Sequence, residues 1–324
     1  MKKKKEKAAS GLRKGRIAVA MAGIVLCMVI ADNLRRDFFM VENRGAITVD
    51  GVFRTKPVEE PQGQVAFEPG SQPFADSCAA HEPGYNVTQA QAAELSQGLL
   101  AVSSAANPAT PKSDQQLVNL SNYKNDFYSV DDETLVLDKN AADALNAMMQ
   151  DYSNATGLND FLVYGTTNTS GEAGSVCPKA YPDCASGYTV DLALYGYLGM
   201  IGFDGYDAEG WIIENCHNYG FIVRYPAGKE SVTGETFCPW HLRYVGEPHA
   251  AAMKQYNMCL EEYISFLSSS SVQQPFEYSS GTANYKIYTV PSEGEITNVQ
   301  VPVGGNCDIS GDGSGSYIVT ARVK

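Results

Sequence analysis

The feature that most constrains this chain is a single long apolar run close to its N-terminus. The run IAVAMAGIVLCMVIA extends from Ile17 to Ala31, and a basic head over residues 1–16 precedes it. Because positive residues stay on the cytoplasmic side of such a segment, everything after Asp32 is expected outside the cytoplasm. Its residues rise about 22 Å as a helix, which is shorter than a hydrocarbon core of about 30 Å.

Two fates of this segment fit its length. An uncleaved anchor over 17–31 makes a single-pass membrane protein with an extracytoplasmic C-terminal domain, and we predict this form. Cleavage of a signal peptide near Ala31 is the alternative, because apolar regions of about 7–15 residues are typical of signal peptides.

Charge is distributed unevenly along the chain. The formal net charge is −13, yet the head of residues 1–16 contains eight basic residues and one acidic residue. The remainder contains 16 basic and 36 acidic residues. Because a domain with this acidic excess repels phosphate backbones, the sequence predicts that the protein does not bind nucleic acid.

The chain has eight cysteines, and seven of them follow the apolar run. An extracytoplasmic location permits disulfides, and an odd number leaves at least one cysteine free or paired between chains. The cysteines never have the Cys-x-x-Cys spacing, which argues against a zinc ribbon or a thioredoxin-like redox site.

Changes in composition define three regions outside the membrane. Residues 32–110 contain few large aliphatic residues, which indicates a low-complexity spacer with one short helix over 89–98. Residues 111–268 contain the patterns of a folded domain. Residues 275–324 alternate apolar residues with Gly, Pro and Ser, which predicts a small β-rich tail. Its segment GDGSG (311–315) lacks the alternating acidic ligands of a calcium loop, so a turn is expected there.

Within the folded domain, helical periodicity predicts two long helices. One covers 138–156 and stops at Gly157, and the other covers 247–267. A shorter helix is predicted over 207–220. Apolar stretches predict strands at FLVYGT (161–166), SGYTVDLALYG (186–196) and FIVRYP (221–226).

Two segments of this domain carry a specific resemblance. One is SGYTVDLAL, which contains Asp191, and the other is NYGFIVRYPAGKESVTGETFCPWHLRYVGEPHA, which contains His241. They resemble the VanY-type zinc D,D-carboxypeptidases, which trim D-alanine from peptidoglycan stem peptides. The resemblance implies an α+β fold, with a small antiparallel sheet flanked by helices (D,D-peptidase/hedgehog-like) and a short β-rich C-terminal extension.

The resemblance also implies a zinc site, from which the chain departs at several positions. Asp191 and His241 stand at two of the family's three zinc-ligand positions. Cys184 stands at the position of the first ligand, a His, and Cys238 at the position of the catalytic Glu. Thr167 stands where the family has an Arg that contacts the substrate carboxylate.

These departures predict that hydrolysis is lost. Catalysis of this kind needs three protein ligands, an open position for water and a carboxylate base, and a thiol does not replace that base. The expected function is binding of a peptidoglycan stem peptide or of a wall-associated protein. An active zinc D,D-carboxypeptidase with an atypical Cys-containing site is the alternative, and a purely structural role is a third hypothesis.

The resemblance places Cys184 and Cys238 around one metal position, which leaves three alternatives for the pair. They form a disulfide, which needs Cα atoms within about 7 Å. They complete a closed structural zinc site with Asp191 and His241. Or they remain thiols, with Cys184 able to pair with Cys177 instead.

Overall fold

The computed structural model describes residues 84–104, 106–111, 115–166, 181–197, 199–281 and 283–323. The apolar segment 17–31, Thr167 and Cys177 lie outside these described residues. Within the described ranges, no helix is both long enough and apolar enough to cross a membrane. The membrane anchor therefore stays a prediction.

The described residues form strands and α-helices in a mixed order along the chain. The strands are β1 (Tyr85–Gln91), β2 (Leu117–Asn119), β3 (Ser129–Val130), β4 (Val136–Asp138), β5 (Phe161–Gly165), β6 (Thr189–Gly196), β7 (Gly199–Gly202), β8 (Phe221–Tyr225), β9 (Cys238–Tyr244), β10 (Phe276–Ser279), β11 (Asn284–Pro291), β12 (Ile296–Pro302), β13 (Asn306–Gly311) and β14 (Ser316–Val323). The helices are α1 (Leu120–Tyr123), α2 (Lys139–Thr156), α3 (Trp211–Asn215), α4 (Glu230–Thr233), α5 (Glu247–Tyr256) and α6 (Leu260–Leu267).

The central sheet has the order β3-β5-β6-β9-β8, and β7 pairs with β6 outside this path. The β3–β5 pair is parallel, and the pairs that involve β6, β8 and β9 are antiparallel. Helices pack against this sheet, and a second, four-stranded sheet follows near the C-terminus. The predicted α+β fold with a β-rich C-terminal extension is confirmed.

Helix α2 covers one face of the central sheet, and its sequence explains both of its ends. The carboxylate of Asp138 caps the first turn by accepting the N–H groups of Asn140 and Ala141. Gly157 ends the helix in the left-handed region, with φ of 75°. The buried side chains recur at helical spacing and pack against β5 and β6: Ala141, Leu145, Met148, Met149 and Tyr152. The helix predicted over 138–156 is confirmed.

Two other helical predictions differ from the structure. The helix predicted over 247–267 is divided into α5 and α6, because Asn257 adopts a left-handed conformation with φ of 52°. Asn tolerates that conformation better than most residues. The helix predicted over 207–220 consists of α3 between two 3₁₀ turns, Asp207–Gly210 and Cys216–Tyr219.

The spacer predicted over 32–110 differs from the structure in its last part. The segment predicted as a helix over 89–98 forms the end of β1 and a 3₁₀ turn, Ala92–Ser96. Strand β1 pairs along its whole length with β12, and Ala90 is buried in the core of the tail. A helix this short is marginal on its own, so the ladder to β12 prevails over the local helical pattern.

The tail of residues 275–324 packs on the folded domain through a shared apolar core. Its sheet has the order β10-β11-β14-β13. Side chains from β11 and β14 share one cluster with α6: Ile287, Ile318, Leu260, Tyr263 and Leu267. His249 of α5 reinforces this junction, because its Nε2 lies 2.9 Å from Oγ1 of Thr320.

The segment GDGSG forms the turn that its composition predicts. Oδ1 of Asp312 accepts the backbone N–H groups of Ser314, Gly315 and Ser316, at 2.6, 2.8 and 3.0 Å. The carboxylate is therefore committed to backbone donors inside the turn.

Candidate functional site

The site begins with a pair of side chains on neighbouring strands of the central sheet. Asp191 of β6 lies directly opposite His241 of β9 in the antiparallel ladder. Directly paired residues project to the same face of a sheet, so the two side chains meet. Oδ1 of Asp191 lies 2.6 Å from Nδ1 of His241, and both residues are buried.

A second carboxylate engages the other nitrogen of the same ring. Asp183 precedes the 3₁₀ turn Cys184–Ser186, and its Oδ1 lies 3.2 Å from Nε2 of His241. The rings of Tyr181 and Tyr225 lie beside the imidazole, with centroid distances of 4.3 and 5.5 Å. The imidazole is therefore held between two carboxylates and two aromatic rings.

This environment favours the protonated form of His241. Burial opposes a charge on the ring, but the carboxylates of Asp191 and Asp183 outweigh burial and raise the pKa of His241 to about 9. In the protonated ring each N–H can donate to one carboxylate, Nδ1 to Asp191 and Nε2 to Asp183.

Two buried arginines complete the surroundings of Asp183. Nε of Arg224 lies 3.5 Å and Nη1 of Arg243 lies 3.6 Å from Oδ2 of Asp183. Burial opposes ionisation of this carboxyl, but His241 and the two arginines together hold the pKa of Asp183 well below its usual range. Asp183 is therefore an anion at neutral pH.

Each arginine is fixed by further partners. Arg224 makes a two-pronged contact with Glu261 of α6, with Nη1–Oε2 and Nη2–Oε1 distances of 3.1 and 2.6 Å. Arg243 donates to Oγ of Ser186 at 2.8 Å and to the carbonyl of Gly98 at 3.0 Å. These bonds connect the site to α6 and to the segment that follows β1.

The charges of this network balance. The carboxylates of Asp183, Asp191 and Glu261 face an equal number of cations, namely His241, Arg224 and Arg243. A buried charge is costly unless it is paired, and here every charge has an opposite neighbour. We call these six residues the buried charge network.

The two cysteines predicted for this site lie in one buried cluster beside the network, together with Tyr164, Tyr181, Ala193 and Tyr225. Both are free thiols in this structure, and the Cys184–Cys238 disulfide stays one of the three alternatives for the pair. Sγ of Cys238 lies 2.9 Å from Oη of Tyr181 and 3.2 Å from the carbonyl of Thr236. Burial, with Asp191 and Asp183, raises the pKa of the Cys184 thiol, which keeps it neutral.

Three donor atoms at this site fit a zinc ion in kind and in spacing. An oxygen of Asp183, the sulfur of Cys184 and a ring nitrogen of His241 all lie within 4.8 Å of one another. Carboxylate, thiolate and imidazole are the ligands that zinc prefers. The sequence predicted Asp191 in this set. The structure groups Asp183 with Cys184 and His241 and places Asp191 against the His241 ring, and the role of Asp191 as a zinc ligand stays a prediction.

Sequence reasoning missed four members of the buried charge network: Asp183, Arg224, Arg243 and Glu261. No role was predicted for Asp183 or for Glu261 in the predicted helix over 247–267. Arg224 was predicted only as part of a strand, and Arg243 only as part of the segment that carries the resemblance. A signal for both arginines was present, because each stands among apolar neighbours in FIVRYP and HLRYV. A charge at such a position is rarely buried without a partner.

Comparison with known families identifies the segment that carries this site. Residues 184–247 match the profile of the VanY family, described as D-alanyl-D-alanine carboxypeptidase. This segment includes Cys184, Asp191, Cys238 and His241.

Two characterised relatives extend the similarity beyond that segment. The D-alanyl-D-alanine carboxypeptidase of Enterococcus faecium is 29% identical over 238 residues, which cover 70% of this chain and 76% of that protein. The bifunctional D-Ala-D-Ala dipeptidase and D-Ala-D-Ala carboxypeptidase VanXYC of Enterococcus gallinarum is 47% identical over 60 residues, 19% of this chain and 32% of that protein.

A solved structure matches the fold over most of its own length. The vancomycin resistance D,D-dipeptidase VanXYg, crystallised with a D-Ala-D-Ala phosphinate analogue, superposes with a TM-score of 0.61 at 21% identity. The match covers 74% of this chain and 99% of that structure. At this identity the match establishes a shared fold.

Proposed function

Because the chain belongs to the VanY-type D-alanyl-D-alanine carboxypeptidase family, we propose that it binds peptidoglycan stem peptides without hydrolysing them. The family acts on these peptides, and in this chain we expect the peptide to be bound but not cleaved. We place the protein at the outer face of the membrane, because a basic head precedes its apolar run. The observation that carries the proposal is the position of His241 between two carboxylates.

A zinc ion at His241 would have to displace a proton from the ring, because the two carboxylates beside it favour the protonated form. A ring with protons on both nitrogens has no lone pair to offer a metal or a reacting proton. Both N–H groups are already engaged by Asp183 and Asp191. The positive and negative side chains of the buried charge network therefore balance one another.

The position of the general base supports the same conclusion. Cys238 stands there, and its sulfur is engaged by the hydroxyl of Tyr181 and the carbonyl of Thr236. A neutral thiol accepts a proton poorly, whereas the reaction needs a group that takes a proton from water. Even with a metal ion bound, the site would therefore lack the general base that peptide hydrolysis needs.

Binding rests on the scaffold that the chain retains. Asp191 and His241 lie within the residues that match the family, on strands of a central sheet that α2 covers, and they form a buried, well-paired site. A site fixed by strand register and buried ion pairs is organised before a ligand arrives, which lowers the entropic cost of binding.

An active zinc carboxypeptidase is the second candidate, and one observation favours it. The donor atoms of Asp183, Cys184 and His241 lie close enough to hold zinc, which would supply Lewis-acid polarisation of a carbonyl or water. Zinc binding with loss of one proton each from His241 and Cys184 would leave the total charge of the site unchanged. The residues therefore admit zinc at the cost of two protons.

One experiment separates the two candidates. The full-length chain is purified with equimolar zinc, and two quantities are measured: binding of a pentapeptide ending in D-Ala-D-Ala by calorimetry, and release of D-alanine. We expect saturable binding and no release above the rate without protein. A pentapeptide ending in L-Ala-L-Ala is the control ligand and should bind weakly. Release of D-alanine would contradict the loss of hydrolysis, and absence of pentapeptide binding would contradict the binding role.

A further inference from the structure

The hairpin formed by β6 and β7 exposes an unusual group of large side chains. Tyr195, Tyr197, Ile201 and Tyr206 have exposed fractions of 64, 81, 54 and 67%. Single exposed apolar residues are common, but a group of this kind within one short segment marks a binding surface. Ile201 pairs with Leu194 and therefore projects to the face opposite Tyr195. We call the three tyrosines, Tyr195 and Tyr197 of the hairpin and Tyr206 after β7, the hairpin aromatic group.

The alternation of strand β6 connects this group to the candidate site. Side chains two residues apart project to the same face of a strand, so Asp191, Ala193 and Tyr195 share one face. Val190 and Leu192 project to the opposite face and belong to the main core. Four residues of strand extend about 13 Å, which is the spacing from Asp191 to Tyr195.

Apolar side chains lie between the two positions. Met200 of β7 lies directly opposite Tyr195 and therefore shares its face. Ala193 and Met200 both pack with the cluster that contains Cys184 and Cys238. Packed apolar side chains thus connect the buried charge network to the strand end that exposes the ring of Tyr195.

The residue types of the hairpin indicate which ligand the hairpin aromatic group fits. Residues 195–207 contain three tyrosines, two aspartates and no Lys or Arg. Without a cation, the segment is unsuited to phosphate or another anion. A flat aromatic ring suits the apolar C–H face of a neutral sugar, and hydroxyl and carboxylate groups accept hydrogen bonds from sugar hydroxyls.

From these observations we propose that the hairpin aromatic group binds the amino-sugar strand of peptidoglycan to which the stem peptide is attached. This inference rests on the proposed function, because it assumes that the end of the stem peptide lies near His241. An extended peptide of five residues spans at most about 17 Å. A stem peptide seated at the site therefore reaches Tyr195 with its sugar-bearing end.

The test compares two ligands that differ only in the sugar. The full-length chain is titrated with a free pentapeptide and with the same pentapeptide joined to its N-acetylglucosamine–N-acetylmuramic acid disaccharide. We expect the sugar to strengthen binding about 3- to 10-fold, the range of one well-placed aromatic contact. Tyr195→Ala should remove this gain and leave affinity for the free pentapeptide unchanged, whereas Tyr195→Phe should keep most of it.

A control variant makes the result interpretable. Tyr256 is an exposed tyrosine on α5, at 45% exposure, and Tyr256→Ala should change neither affinity. Equal loss of both ligands in Tyr195→Ala, or an unchanged affinity for the disaccharide ligand, would overturn the inference.

A third ligand separates this inference from the proposed function. If the free pentapeptide does not bind, the proposed function fails. Binding of tri-N-acetylglucosamine that is lost in Tyr195→Ala would still support the sugar site. If the pentapeptide binds and neither sugar ligand gains from Tyr195, the inference alone fails.

Discussion

Asp191 and His241 lie directly opposite each other in the β6–β9 ladder, and Oδ1 of one is 2.6 Å from Nδ1 of the other. Backbone register fixes this pair, because opposed residues of an antiparallel ladder project to the same face. Asp183 reaches the other side of the ring from a turn outside the ladder. The site therefore combines the Asp191–His241 pair, which strand register fixes, with the carboxylate of Asp183. The position of Asp183 depends on its ion pairs with Arg224 and Arg243.

The first prediction concerns the charge of Asp183. Asp183→Asn leaves His241, Arg224 and Arg243 buried around a neutral side chain, and loss of one partner from a buried ion pair costs about 3–5 kcal/mol. We expect the free energy of unfolding in urea to fall by that amount. The control is Glu214→Gln, whose exposed ion pair with Lys254 contributes less than about 1 kcal/mol. Equal effects of the two substitutions would contradict the buried charge network.

The sequence predicted the elements whose signals are local. Helix α2 has a capping Asp138, a helical apolar period and a stop at Gly157, and all three act within a few residues. The strand that carries Asp191 was predicted in the same way, from alternation. Family resemblance supplied the positions of Asp191, His241, Cys184 and Cys238, which no local pattern could place together.

The remaining features depend on contacts between distant segments. Pairing of β1 with β12 joins residues about 200 positions apart, and nothing in β1 alone specifies that partner. Arg243 reaches the carbonyl of Gly98 across 145 positions. Contacts between such distant residues depend on the tertiary structure. The sequence therefore indicated the buried charges but not the partners that neutralise them.

The second prediction concerns acid stability and His249. Burial lowers the pKa of His249 to about 3, and its two ring nitrogens face the neutral hydroxyls of Tyr263 and Thr320. Because the unfolded chain binds this proton near pH 6.5, the contribution to stability is complete above that pH. It is lost as the pH falls from about 6.5 to 3, by about 1.4 kcal/mol per pH unit.

The variant His249→Gln isolates this effect from the titration of carboxylates. The difference in unfolding free energy between the native chain and the variant should shrink as the pH falls from 7 to 4, measured by urea denaturation. A difference that stays constant over this range would show that His249 does not titrate as a buried neutral group.

The third prediction concerns the state of the cysteines. Cys184 and Cys238 are about 5 and 3% exposed, whereas Cys307 is partly exposed. Thiol alkylation of the native chain, followed by peptide mass spectrometry, should label Cys307 rapidly and should label the two site cysteines only after unfolding. Cys307→Ser serves as the control for reagent access. A cross-linked peptide joining Cys184 and Cys238 would instead support the disulfide expected from the resemblance.

The fourth prediction concerns restoration of the metal site. Cys184→His together with Cys238→Glu supplies the ligand and the base that the family has at these positions. Zinc content of the purified double variant should approach one ion per chain, against well below one in the native chain. Cys216→Ser is the control, because Cys216 is buried away from the site in the main core. Equal zinc content in the native chain and the double variant would show that Cys184 already serves as a working ligand.

The most direct test of the account is the rate of D-alanine release from a pentapeptide ending in D-Ala-D-Ala, with zinc present, by the native chain and by the Cys184→His, Cys238→Glu variant. General-base catalysis alone contributes about 10²–10⁴-fold. The account predicts no release by the native chain above the rate without protein, and measurable release by the double variant. Release by the native chain as fast as by the double variant would contradict the loss of hydrolysis and assign Cys184 and Cys238 to a working catalytic site.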